Sequence, residues 1–137
     1  MKSEHSPAHQ LHCDFGGCVE LVPIRPDYTE FIDSRRVWAF PISYLTHFLL
    51  QENPHFNGQK NVPPDQLILV YSQANVVLRG WRLEFMLAPL VIGRVARVHA
   101  ENHPGPLKPD EAWVSEIHVA LKDNSILDNE TLEYRFS

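Results

Sequence analysis

Apolar residues along this chain recur mostly at every second position, and only one stretch shifts to a helical rhythm. Val19 and Leu21 open a short run that Pro26-Asp27 stops. Pro23 has no N–H to give a ladder, so the run reads as an edge strand or a bulge. Residues 28–32 form a second short strand, closed by Asp33-Ser34. Trp38, Phe40, Ile42 and Tyr44 then share one strand face, bent at Pro41. Residues 44–50 fit either rhythm, and their aromatic and β-branched content favours a strand. The pairs Asn53-Pro54, Asn57-Gly58 and Pro63-Pro64 make residues 51–65 a long loop.

The best-patterned region follows the loop. Residues 67–71 are an apolar strand, 72–75 a tight connection and 76–79 a second strand. Gly80 is read as freeing the backbone to turn into a helix over about 82–92. There Leu83, Met86, Leu87 and Leu90 fall at i, i+3, i+4 and i+7, a stripe that should be buried while Arg82 and Glu84 stay in water. Pro89 removes the bond to Phe85 and should kink or end the helix, and Gly93 supplies a stop. Residues 94–99 return as a strand with Val95 and Val98 inward, 113–121 alternate over a full strand, and 131–136 give a last short one. The pattern predicts an α+β fold: a mainly antiparallel twisted sheet of six to eight short strands, with one main helix packed on one face.

The length, 137 residues, suits one domain, read as a polar, flexible leader over 1–16 and a single α+β domain over 17–137. No apolar run approaches the roughly 20 residues of a membrane span, and the first residues lack the hydrophobic stretch of a secretory signal. These features predict a cytoplasmic protein with no membrane partner. In a reducing compartment Cys13 and Cys18 are free thiols or metal ligands rather than a bridge.

The net charge of −5 is unevenly spread. Residues 1–33 carry two basic and six acidic side chains, 34–100 seven basic and three acidic, and 101–137 three basic and eight acidic. Acidic ends folding against a basic middle account for this. The acidic total argues against sequence-independent nucleic-acid binding, which needs several cations set on phosphates.

Candidate chemistry is sparse. His5, His9, His12, Cys13 and Cys18 crowd into one segment, and these residue types bind zinc. Their spacing differs from that of zinc fingers, whose ligand pairs stand about a dozen residues apart. His99, Glu101 and His103 share one side of an extended segment, a second candidate for a metal or a proton relay. Arg79, Trp81 and Arg82, with Arg94 and Arg97 on the returning strand, form a candidate binding surface of the kind enriched at interfaces. No nucleophile elbow, HExxH pair, phosphate loop or dinucleotide fingerprint occurs. The sequence therefore favours a non-enzymatic binding or assembly module that pairs with a protein partner or a second copy through a sheet edge or the Trp81 surface. The alternatives are a metal protein, with zinc on the N-terminal cluster, and a nucleic-acid contact through the central Arg/Trp stretch.

Overall fold

Tyr71 lies against both Phe31 and Phe40, with ring centroids 6.2 and 5.0 Å away, and these contacts join two separate sheets. The computed structural model describes residues 18–102 and 108–122, and the backbone of 132–135. Among them are nine strands: β1 (Val19–Leu21), β2 (Tyr28–Ile32), β3 (Arg36–Pro41), β4 (Leu45–Glu52), β5 (Asp65–Tyr71), β6 (Ala74–Trp81), β7 (Val95–His99), β8 (Trp113–Leu121) and β9 (Leu132–Arg135). One short α-helix, α1 (Leu87–Val91), follows a 3₁₀ turn over Leu83–Met86.

The single sheet expected from the pattern is instead a pair. One has the order β1-β7-β2-β3-β9 and the other β4-β5-β6-β8. Every neighbouring pair is antiparallel except β2 with β7. Sequence periodicity shows that a strand has an apolar face but not which sheet it joins, so the division was invisible in it. The break falls at Pro41, where a 3₁₀ turn over Ile42–Tyr44 carries the chain from β3 to β4. The strand reading of 44–50 is realised from Leu45 onward, with Tyr44 in the 3₁₀ turn, and the loop expected over 51–65 is shorter, since Gln51 and Glu52 belong to β4 and Asp65 to β5.

The inward side chains follow the two-residue period. Leu67, Leu69 and Tyr71 on β5, Val76 and Leu78 on β6, Phe31 on β2, Phe40 on β3 and Val95 and Val98 on β7 are all essentially buried. Each such large side chain contributes roughly 1.5–3 kcal/mol relative to exposure. The helical segment adds Leu83, Met86 and Leu90 to this shared core. Leu87 is only partly buried, contrary to its place in the stripe. The segment is 3₁₀ before it is α-helical, and three residues per turn rotate the later positions away from a 3.6-residue stripe.

Gly80 does not turn the chain. It lies within β6, where a Cβ would stand 1.9 Å from the Trp113 carbonyl oxygen. Its role is to let β8 approach at the bulge between Arg79 and Gly80. The turn falls at Arg82, whose φ of 57° is the one positive value among described non-glycine residues. The Asp65 carboxylate accepts the Leu83 N–H at 3.1 Å, and the Arg82 guanidinium donates to the Lys108 carbonyl at 2.6 Å. These two contacts hold a backbone conformation that costs roughly 1–2 kcal/mol for a side-chain-bearing residue.

Two outcomes follow for chemical denaturation. Leu83→Ala should cost about 2–5 kcal/mol, the range for opening a core cavity, and Leu87→Ala about half as much because part of its side chain is already in water. Gly80→Ala should cost about 3 kcal/mol, the upper end of the overpacking range, because the obstacle is backbone and cannot rotate aside. A Gly80→Ala chain as stable as the parent would show that β8 does not pass this close.

Candidate functional site

Of the N-terminal histidine–cysteine set, His5, His9, His12 and Cys13 lie outside the described residues. Cys18 is fully buried, and its Sγ donates to the Val114 carbonyl at 3.7 Å. Burial pushes its thiol up to about 11, with Glu101 and Glu111 adding to the effect. Metals bind the thiolate, so a thiol held protonated among core side chains is a poor ligand. Among the described residues no three His, Cys, Asp or Glu side chains converge to hold a metal. In the second candidate set, His99 turns to Glu20, with Nε2 3.2 Å from Oε2, and His103 lies outside the described residues.

The arginine surface does not assemble as one patch. Arg79 and Trp81 sit on β6 in the four-stranded sheet, whereas Arg97 sits on β7 in the other. Each guanidinium is engaged within the chain. Arg79 donates to Gln66 at 2.8 Å and to Glu116 at 3.4 Å. Arg97 donates to Glu30 at 2.9 Å and to Glu20 at 2.8 Å. Arg94 donates to the Pro23 carbonyl, and Arg82 is held at Lys108 as above. Trp81 is half-buried opposite Trp113 in the ladder. Acidic residues from both ends of the chain thus meet basic residues from its middle, as the charge distribution suggested.

The Glu20–Arg97–Glu30 cluster spans β1, β7 and β2, which the register sets side by side. Burial pushes the Glu20 carboxyl up, but hydrogen bonds from Arg97 and His99 outweigh it, and the group ends below its ordinary range. The same two glutamates raise the Arg97 pKa.

Less visible in the sequence are the sheet edges. The Asn53 N–H donates to the Pro64 carbonyl at 2.8 Å, extending the β4–β5 ladder by one pair. Antiparallel ladders alternate bonded and non-bonded pairs, so Leu49 and Gln51 also bond to β5. The N–H and C=O groups of Phe48, Leu50 and Glu52 therefore face away from β5. On the opposite edge, the Lys122 N–H donates to the Gln73 carbonyl at 2.8 Å, which by the same alternation turns Ile117 and Val119 away from β6. Among the described residues no other strand pairs with either edge.

The short edge strand β1 is managed differently, with a bulge at Glu20/Leu21 and Pro23 just beyond it. β4 has eight residues, its first acidic side chain is its last, Glu52, and Leu49 on its outer face is 51% exposed. No helix among the described residues is long and apolar enough to cross a membrane. No protein-family model, curated protein or solved structure matches the chain. The architecture defines a two-sheet β-rich domain whose most distinctive surface feature is a pair of open strand edges.

The ion cluster yields a pH test. A carboxylate whose folded pKa is depressed contributes stability above its unfolded pKa, and that contribution is lost as pH falls through the folded value. Glu20→Gln should therefore cost about 1 kcal/mol at pH 7, a modest figure because the Arg97 side chain is about half exposed. The difference from the parent should close as the pH drops below about 4, the ordinary glutamate range. A gap that stays constant from pH 7 to pH 3 would mean that the cost is one of packing rather than charge.

Proposed function

We propose that this chain is a non-enzymatic assembly module that pairs with a second copy of itself through β4. The observation that carries the reading is the open edge of β4, an eight-residue strand whose backbone groups at Phe48, Leu50 and Glu52 are unpaired among the described residues, with an exposed leucine at its centre. Such an edge templates the addition of another strand. A two-fold axis through Leu49 sets Phe48 opposite Leu50 of the second copy, so the outward backbone groups of each strand meet those of the other. The same axis sets His47 opposite Gln51 and Thr46 opposite Glu52, with no like charges facing each other. Both copies keep their apolar faces on the same side, giving one continuous sheet of eight strands with isologous symmetry.

Support also comes from the outer face of that sheet. Leu49, Ile68 and Val77 lie in one cross-strand row, and none is fully buried in the single chain. Joining two copies at β4 brings the two rows together end to end at Leu49.

Sedimentation equilibrium at tens of micromolar tests the reading. The parent chain is expected to be a dimer. Leu49→Lys should be monomeric, since two ammonium groups would meet on the axis, and its thermal stability should stay close to that of the parent. Mixing Leu49→Lys with Leu49→Glu should restore a dimer containing one of each. A strict monomer for the parent, or a dimer indifferent to both substitutions, would sink this assignment.

A further inference from the structure

A cleft of about 510 Å³ separates the β2–β3 turn from the open edge of β8. One wall carries Arg35, Arg36 and Trp38, and the other is formed by residues Ser115 to Val119 of β8. The β8 wall is the edge on which Ile117 and Val119 turn their N–H and C=O groups outward. Within the described residues no backbone bond takes up these groups, whereas the neighbouring Val114 carbonyl already accepts the Glu101 N–H at 2.9 Å. The cleft runs between this edge and the β2–β3 turn.

The charges around the cleft say which segment fits. Asp33 is engaged in the turn, its Oδ1 accepting the N–H groups of Arg35 and Arg36 at 3.0 Å each. Glu116 is shared between Arg79, at 3.4 Å, and His118, at 3.0 Å. Arg36 lies 5.7 Å over the Trp38 ring, which fixes the guanidinium in place without neutralising it. Arg35 is exposed, and neither arginine has a carboxylate partner among the described residues. The carboxylates are thus answered from within the chain and the two guanidinium groups are not.

We propose that this cleft binds an extended acidic peptide by strand addition to β8. The peptide backbone pairs with Ile117 and Val119, and its carboxylates meet Arg35 and Arg36. Strand addition draws its affinity from main-chain bonds and its specificity from what flanks them, here two guanidinium groups. The site is separate from the β4 edge and does not depend on self-association.

The test uses fluorescently labelled (Val-Glu)4 and (Val-Lys)4 peptides titrated with the full chain. The acidic peptide should bind saturably and the basic one at least about tenfold more weakly, the loss expected for removing a charge-assisted bond. Arg35→Glu should abolish the preference, and because Arg35 is exposed and its side chain has no partner among the described residues, this variant should melt at the parent temperature. Methylating alternate backbone nitrogens of (Val-Glu)4 should weaken binding about tenfold in one of the two alternations and not in the other. Equal binding of both peptides would overturn the proposal, as would indifference to backbone methylation together with displacement by inorganic phosphate, which would indicate a small-anion site. Binding lost in Leu49→Lys but kept in Arg35→Glu would place the peptide on β4 and overturn it equally.

Discussion

The placement of Tyr71 against Phe31 and Phe40 is the contact on which the rest of the architecture depends. It joins β5 of one sheet to β2 and β3 of the other, and Trp38 stacks beside Phe40 with the rings 4° from parallel. Aromatic pairs at such separations add roughly 0.5–1.5 kcal/mol each beyond the area they bury. Burial pushes the Tyr71 phenol well up. Thr29 donates to the Val95 carbonyl at 2.8 Å, a buried polar tie between β2 and β7 beside the aromatic cluster. A sheet held at its centre by this cluster cannot slip register, because a one-residue shift would turn every inward side chain outward.

Two sheets closed face to face leave four edges, and the sequence treats them unequally. β1 is three residues long, ends near a proline and carries a bulge, while β9 is four residues long. β4 and β8 have eight and nine residues and no proline. Proteins usually blunt long edges with charge, proline or a covering element. Here β8 looks across a cleft at cationic side chains, and β4 has its exposed leucine. The unequal treatment is why both proposals fall on these two edges.

Much of the local structure was legible in the sequence because it rests on the two-residue period. The alternation over 113–121 returned β8 with its own bounds, and the run at 67–71 lies wholly within β5. What failed needed information from outside the local window. Gly80 looked like a turn residue, yet its lack of a Cβ serves the approach of Trp113, which lies far along the chain. Arg82 makes the left-handed turn instead, against its own preference, because Asp65 and Lys108 hold its surroundings. The Arg79–Arg97 stretch looked like one surface because its residues are near in sequence, but β6 and β7 belong to different sheets. The open edges could not be read at all, since hydrogen-bond direction depends on which strands become neighbours.

The charge asymmetry along the chain finds its physical meaning in these pairings. Glu20 and Glu30 from the acidic start close on Arg97, and Glu116 from the acidic end closes on Arg79. Exposed pairs of this kind contribute little to stability singly, so their effect is mainly on what the surface offers a partner. The arginines that looked most available in sequence are occupied once the sheets form. Arg35 and Arg36 escape this because the tight turn after β2 consumes the nearest carboxylate, Asp33, in bonds to the backbone. With Asp33 engaged in holding the loop, both arginines beside it line the cleft without a carboxylate partner among the described residues.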